Sequence, residues 1–287
     1  MLPLAMLIGA VFHKQIDYLS PFAPYLIFVM LLITFCKVKI SEFRITNLSW
    51  GLLAVQIPGA LVAYLLLRFI NEELAVATFI CIFCPTATAA PVVTGMLGGS
   101  VTRLATYSIV SNLAVAIMSP ILFSLIGSNA DMSIWSATVR ISMQVVPLII
   151  APLAVALLLR KVAPKLHSGI SNHQSISFYI WSVSLVIVVG NAVSYMIKHH
   201  EHVGVMIAMA VLSLAVCCLQ FYVGRKLGKR NGDKIVGAQG LGQKNTVLAV
   251  WMCLTFFNPI TSVGPAAYIA WQNLINSYQL YRKSKKN

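Results

Sequence analysis

The sequence predicts an all-α polytopic membrane protein with about ten transmembrane helices, and three observations support this. Hydrophobic residues make up 59% of the 287-residue chain and charged residues only 10%, against about 25% charged in soluble domains. Many apolar stretches approach the about 20 residues that an α-helix needs to cross a bilayer. The net charge of +14 would suggest nucleic acid in a soluble protein, but here the basic residues recur in the loops between apolar stretches. The expected environment is therefore the lipid bilayer, and no nucleic acid partner is expected.

The apolar stretches divide into two sets of five. The predicted spans are 1–12, 24–36, 50–67, 74–97 and 104–126 in the first set, and 141–159, 178–197, 205–223, 235–257 and 266–280 in the second. The first span is short, so it is either tilted, partial or the remains of a longer one. In each set the fourth span is interrupted. This pattern predicts an internal duplication, with repeats over residues 1–135 and 136–287, and an odd number of spans per repeat places the copies in opposite orientations.

The loop charges give an independent check on the number of spans. When loops alternate between the two sides of the membrane, one side receives 16 of the 21 basic residues: Lys37, Lys39, Arg44, Arg103, Arg160, Lys161, Lys165, Arg225, Lys226, Lys229, Arg230, Lys234, Arg282, Lys283, Lys285 and Lys286. The other side receives Lys14, Arg68, Arg140 and Lys198, which leaves Lys244 within the membrane. Because loops rich in Lys and Arg stay in the cytoplasm, we expect a multi-pass protein of the cell membrane, a bacterial inner membrane, with both termini cytoplasmic.

Polar residues concentrate at the two interruptions. The first reads Cys-Pro-Thr-Ala-Thr-Ala-Ala-Pro over residues 84–91, and the second is the glycine-rich polar run 237–246. The helices that resume near Pro91 and Gln243 present free N–H groups and a partial positive charge, which attract anions. A charge in the bilayer costs about 2.5 to 3.5 kcal/mol on insertion scales, so Lys244 requires a functional reason. We therefore predict a site for a carboxylate or similar anion, with these side chains as candidates: Thr86, Thr88, Gln243, Lys244, Asn245 and Thr246.

Each of these features also has a structural interpretation. Pro85 and Pro91 could kink a continuous helix, the glycines could mark close helix packing, and Lys244 could extend to a membrane interface. The matching positions of the two interruptions favour broken helices at a transport site, as in carriers built from inverted repeats. Arg103 is best interpreted as a basic residue at the cytoplasmic interface.

Enzyme and metal chemistry have little support in the sequence. The acidic residues all lie in loops or at span ends: Asp17, Glu42, Glu72, Glu73, Asp131, Glu201 and Asp233. An intramembrane enzyme would need a nucleophile with a base, or paired acids, within the bilayer. The six cysteines lie in apolar runs, and Cys81 and Cys84 have a CxxC spacing but no second pair of ligands accompanies them. His199, His200 and His202 belong to one loop. We therefore expect no enzyme activity, no metal and no cofactor.

The chain resembles the bile acid:sodium symporter family along essentially its whole length. The residues that carry the resemblance are the run 84–89, the run 242–246, and Pro265 followed by Trp271, Gln272 and Asn273. In that family the first break typically reads Cys-Pro-Gly-Gly-Thr-Ala-Ser-Asn, the second contains Glu-x-Gly-x-Gln-Asn-Ser, and the last span contains Trp-His-Asn. The resemblance implies a core domain from spans 3–5 and 8–10, which contains the crossed broken helices. It also implies a panel domain from spans 1, 2, 6 and 7, with substrate in the cleft between the two domains.

The family's substrate contacts are retained in this sequence, whereas its sodium ligands are not. The resemblance implies substrate contacts at Thr88, Asn245 and Asn273. The positions that would correspond to sodium sites are Ala90, Pro91, Leu104, Ser108, Gly240 and Lys244. Glycine replaces the family's glutamate at 240 and lysine replaces its glutamine at 244, which makes both sites unfavourable for a cation.

These residues lead to a hypothesis in which the Lys244 ammonium takes the place of sodium. The chain would be a secondary transporter that moves a small organic anion, such as a bile acid, a pantoate-like hydroxy acid or a keto acid, by alternating access without sodium. Uniport, exchange and coupling to protons all stay open. The alternatives are a sodium-coupled organic anion symporter with altered ion sites and a sensor that binds an anion without transporting it.

Overall fold

The computed structural model describes residues 2–36, 44–127, 133–172, 174–198 and 203–285, and these residues are almost entirely helical. Among the residues predicted above, Lys37, Lys39, Glu42, Asp131, His199, His200, Glu201, His202 and Lys286 lie outside these ranges. By length and composition, five helical stretches can cross a membrane: Tyr18–Cys36, Asn47–Leu67, Val101–Ile126, Ile134–Val162 and Val203–Arg230. Shorter apolar helices accompany them, at Ser182–Tyr195 and Thr246–Phe256. The chain is thus an all-α membrane protein, as the sequence predicts.

Apart from one short helix at residues 13–16 that the sequence does not predict, the helices of the first half follow the predicted spans. They are α1 (Leu2–Val11), α2 (His13–Ile16), α3 (Ala23–Cys36), α4 (Asn47–Leu67), α5 (Glu72–Phe83), α6 (Ala90–Leu97) and α7 (Val101–Ile126), with a 3-10 turn at Asp17–Phe22. The interruption predicted in the fourth span separates α5 from α6. A cap helps to define where α5 begins, because the Asn71 Oδ1 accepts a hydrogen bond of 2.8 Å from the Leu74 N–H.

The second half adds a helix that the sequence does not predict. Its helices are α8 (Ile134–Val162), α9 (Pro164–Asn172), α10 (Gln174–Lys198), α11 (Val203–Arg230), α12 (Lys234–Gly242), α13 (Thr246–Phe256) and α14 (Val263–Ser284), with a 3-10 turn at Pro259–Ser262. The short polar helix α9 lies between two predicted spans, and its first residue is a proline, which the first turn of a helix tolerates.

The glycine run of the second interruption does not itself break the helix. Gly237, Gly240 and Gly242 all lie within α12, and the break follows them at residues 243–245. A Cβ atom at Gly237 would overlap the backbone carbonyl of Gly224 on α11, and one at Gly242 would overlap the Phe221 ring. The glycines therefore allow close packing of α11 and α12, which is the structural interpretation weighed above.

The helices pack in two groups, which are joined by extensive packing of α7 against α8. Helix α1 packs against α10, and α3 packs against α8 and α10. Helix α11 packs against α12, α14 and α5, while α4 packs against α5. The helices corresponding to predicted spans 1, 2, 6 and 7 form the first group, and the second group contains both broken spans. The division into core and panel domains and the two repeats remain predictions.

Candidate functional site

The two helix breaks meet and pair with each other. The segment between α5 and α6 runs antiparallel to the segment between α12 and α13, with an isolated β-bridge between Thr86 and Lys244. The Ala87 N–H donates to the Gln243 carbonyl at 2.9 Å, and the Asn245 N–H donates to the Pro85 carbonyl at 2.8 Å. Backbone groups freed by a break must find partners where no water is available. Here each break supplies partners for the other, so the helix crossing is a single structural unit.

A buried amide on α4 supports the first break. The Gln56 side chain is fully buried, and its Nε2 donates to the carbonyls of Phe83 and Cys84 at 2.7 and 3.2 Å. Its Oε1 accepts from the hydroxyls of Tyr107 and Ser111 at 2.8 and 2.9 Å. Gln56 thereby satisfies two of the orphan carbonyls at the C-terminal end of α5 and connects them to α7.

A second buried amide, on α11, supports the second break. The Gln220 Nε2 donates to the Tyr268 hydroxyl oxygen at 3.0 Å and to the Cys81 carbonyl at 3.1 Å. The Tyr268 hydroxyl donates in turn to the carbonyl of Gly242, the last residue of α12, at 2.9 Å. The Tyr268 hydroxyl therefore holds the end of α12, and Gln220 connects this hydroxyl to α5. A glutamine paired with a tyrosine is found at both breaks.

The Lys244 ammonium lies at the carbonyl end of α5. Its Nζ donates to the Ile82 carbonyl at 2.7 Å, and the residue is only 1% exposed. This position differs from the interfacial alternative, since the side chain does not extend to a membrane surface. The last carbonyls of a helix lack intrahelical partners and carry a partial negative charge. A protonated Lys244 at this position compensates the C-terminal end of α5.

The other residues predicted at the breaks are also buried at the helix crossing. The Thr86 hydroxyl donates to the Gly240 carbonyl at 2.8 Å. The Asn245 Oδ1 caps α13 by accepting from the Leu248 N–H at 3.3 Å. Thr88 is 7% exposed. The Thr246 Oγ1 accepts a hydrogen bond from the Gln272 Nε2 at 3.4 Å, whereas the buried Gln243 Oε1 has no hydrogen-bond partner.

Asn273 lies on the last helix, α14, and the substrate contact expected of it stays a prediction. Its Nδ2 donates to the Ile269 carbonyl of its own helix at 2.7 Å. The neighbouring residue Gln272 contacts the crossing instead, because its Oε1 accepts from the Lys244 N–H at 2.8 Å. Adjacent residues of a helix point in directions about 100° apart, so α14 presents Gln272 to the crossing.

The positions that correspond to sodium sites contain few free oxygen ligands. Ala90 and Pro91 form the first turn of α6, and Leu104 is a fully buried apolar residue. A Cβ atom at Gly240 would lie 3.0 Å from side-chain atoms of both Leu52 and Tyr107, so the room for a longer side chain is already filled. The buried Ser108 hydroxyl is the exception, since it has no hydrogen-bond partner. Within the described ranges, no group of three His, Cys, Asp or Glu residues could hold a metal ion.

The fold and the crossed breaks define a class: a multi-pass membrane protein with two discontinuous helices at a central site, the arrangement of secondary transporters. The chain belongs to the SBF-like CPA transporter family, which matches residues 25–269. The resemblance to the bile acid:sodium symporters is thereby confirmed at the level of the family. A comparison with curated proteins finds no match.

Sequence reasoning missed several residues that hold the crossing together: Gln56, Tyr107, Ser111, Gln220, Tyr268 and Gln272. A signal for the glutamines was present, because an amide within an apolar span must find a hydrogen-bond partner there. The tyrosines carried no such signal, since tyrosine is common in apolar helices and at membrane interfaces.

Proposed function

We propose that this protein is a secondary transporter that moves a small organic anion by alternating access without coupling to sodium. In this proposal the Lys244 ammonium supplies the fixed positive charge at the crossing. The observation that carries the proposal is the contact of 2.7 Å between the Lys244 Nζ and the Ile82 carbonyl. A carbonyl at the C-terminal end of a buried helix attracts a cation, and here the protein's own side chain fills that role.

The surroundings of Gly240 support independence from sodium. Sodium binding in a buried site requires several oxygen ligands, and a carboxylate strengthens it. Leu52 and Tyr107 occupy the space beside Gly240, and the nearby Lys244 ammonium would repel a second cation. The alternative of a sodium symporter with altered ion sites would need a ligand set built around the Ser108 hydroxyl.

The beginnings of α6 and α13 support an anionic substrate. Both helices start at the crossing, at Ala90 and Thr246, so the positive ends of two helix dipoles lie at the same place. Thr88 and Asn245 add polar groups beside these ends. Both residues are nearly buried, at 7% and 4% exposed, so a substrate reaches them only when the surrounding helices move, as alternating access requires.

The supports of the two breaks favour an origin by duplication. Gln56 and Tyr107 are 51 residues apart and hold the first break, while Gln220 and Tyr268 are 48 residues apart and help to hold the second. The same pair of residue types at nearly the same spacing is expected when one five-helix unit is repeated. We therefore propose two inverted repeats, with the core domain moving against the panel domain.

Solute flux is the direct test of this function. Purified protein in liposomes would be assayed for uptake of labelled taurocholate, pantoate and pyruvate, with empty liposomes as the control. We expect protein-dependent, saturable uptake of at least one of these anions, and loss of that uptake in the Asn245→Ala variant. Saturable binding of an anion without any flux would favour the sensor instead. The absence of both binding and flux of organic acids would contradict the proposal.

A further inference from the structure

A cavity of about 570 Å³ opens at the end of the bundle formed by the C-terminal ends of α6, α11 and α14 and the start of α12. Four basic residues line it: Arg225, Lys234, Arg282 and Lys283. They come from three helices, α11, α12 and α14, and no acidic side chain of the described chain lines this cavity. We call this cavity the basic pocket.

The Asp233 carboxylate, which precedes Lys234 in the chain, is already engaged. Asp233 lines a neighbouring cavity, and its two oxygens accept hydrogen bonds from backbone N–H groups, at 3.1 Å from Ser100 and at 2.9 Å from Val236. It therefore caps α12 and does not directly pair with the cations of the basic pocket. The Lys283 Nζ donates to the Met96 carbonyl at 2.9 Å, which satisfies one of its hydrogen bonds but does not neutralise its charge. Because like charges repel when they converge, an anion that enters the pocket would relieve this repulsion.

The lining of the basic pocket has a polar side and an apolar side. The Gln279 Oε1 accepts from the Arg225 guanidinium at 3.3 Å and from the buried Gln239 Nε2 at 3.4 Å. Behind them, the Gln239 Oε1 and the Asn276 Nδ2 are buried without hydrogen-bond partners. On the other side, Ile235, Ile275 and Tyr278 provide an apolar wall. A ligand that fits has a multiply charged head and a less polar body.

We propose that the basic pocket binds a phosphate-bearing anion, through its phosphate group. Arginine forks bind phosphate oxygens in pairs and lysine adds point charges, and the volume lies in the range of small-ligand sites. The phosphate comes either from an anionic phospholipid headgroup or from a soluble phosphate ester. Basic pockets between transmembrane helices at the cytoplasmic side suit lipid headgroups, and the loop charges predict that this end of the protein is cytoplasmic.

The basic pocket is separate from the helix crossing. Helix α12 connects the two, and its 9 residues span about 13 Å at 1.5 Å per residue. The proposed phosphate site therefore does not depend on the organic anion site. A ligand there would tie together the ends of α6, α11, α12 and α14, and so would stabilise the group of helices that contains both breaks.

Binding to purified protein in detergent tests the proposal, with a matched control on the same helices. The test variant is Arg225→Gln with Arg282→Gln. The control is Lys226→Gln with Lys285→Gln, because these ammonium groups lie over the Tyr222 and Tyr281 rings at 4.6 and 4.8 Å and do not line the basic pocket. Both double variants remove two positive charges, so a general loss of surface charge affects them equally.

Two calorimetric titrations distinguish the sources of phosphate. One uses inorganic pyrophosphate, and the other uses short-chain phosphatidylglycerol, with short-chain phosphatidylcholine as the lipid without net charge for comparison. We expect the parent protein to show saturable binding. The affinity should fall about a hundredfold in the test variant, at about tenfold for each lost charge-assisted contact, and should change less than about twofold in the control. Selective binding of phosphatidylglycerol assigns the site to lipid, and binding of pyrophosphate alone assigns it to a soluble ester. Equal weakening in both variants, or no saturable binding of either probe, overturns the proposal. Lys234→Gln with Lys283→Gln provides a second test variant if the first does not fold.

Discussion

Replacing Lys244 with methionine isolates the contribution of the buried ammonium. Methionine keeps a long, flexible apolar side chain but removes both the charge and the hydrogen bond of 2.7 Å to the Ile82 carbonyl. That carbonyl is one of the last in α5, where no N–H of the same helix remains to pair with it. The variant therefore leaves an acceptor buried without its partner, while the packing volume changes little.

Two opposing effects decide the magnitude. A hydrogen bond from a charged donor contributes about 1.5 to 3 kcal/mol, and leaving its partner unsatisfied adds a penalty of similar size. Removing the ammonium from a nearly dehydrated site, where it is 1% exposed, relieves a desolvation cost of several kcal/mol. We expect the first effect to be larger, because the ammonium also compensates the negative end of the α5 dipole. The net prediction is a destabilisation of about 2 kcal/mol.

Unfolding of the purified protein in detergent measures this change. The control is Lys226→Met, because the Lys226 ammonium lies over the exposed Tyr222 ring. The free energy of unfolding of this variant should stay within about 0.5 kcal/mol of that of the parent protein. A Lys244→Met protein as stable as the parent, or more stable, would refute the reasoning. Such a result would mean that the ammonium is a net cost in this position and does not compensate the end of α5.

Three further substitutions test the supports of the helix crossing, each by unfolding in the same detergent. Gln56→Leu removes the partners of the Phe83 and Cys84 carbonyls, so we expect a loss of about 2 to 4 kcal/mol, and an unchanged melting temperature would contradict this role. Gly237→Ala should lower stability by more than about 2 kcal/mol, because its Cβ would overlap the Gly224 carbonyl. The matched variant is Gly51→Ala, because no atom lies within 4 Å of a Cβ at that position, and its stability should be unchanged or up to about 1 kcal/mol higher. Equal changes in stability for Gly237→Ala and Gly51→Ala would argue against close packing of α11 and α12. Tyr268→Phe leaves the Gly242 carbonyl without its hydroxyl donor and should cost about 1 to 3 kcal/mol, and no loss would show that the hydroxyl does not support the second break.

The sequence predicts the helices well because membrane spans depend on local composition. The interruption at 84–89 could also be found, and the second could be found to within the run 237–246, since proline and polar residues in an apolar span are local signals. The role of the glycines in α12 could not, because close packing and a helix break call for the same residue type. Only the position of Phe221 and Gly224 on α11 decides between them.

The candidate site was predictable in its residue types and less so in its contacts. Lys244 and Asn245 could be placed at a break from their spacing alone. The carbonyl that Lys244 contacts could not, because Ile82 lies 162 residues away and offers only backbone chemistry. Similarly, the choice of Gln272 over Asn273 on α14 depends on the rotation of that helix against its neighbours, which tertiary packing sets.

The central claim is that the Lys244 ammonium replaces a coupling cation, and sodium dependence of uptake tests it most directly. Initial rates of organic anion uptake into proteoliposomes would be compared in sodium and choline buffers of equal ionic strength. The account predicts equal rates in the two buffers. A steep requirement for sodium would contradict it.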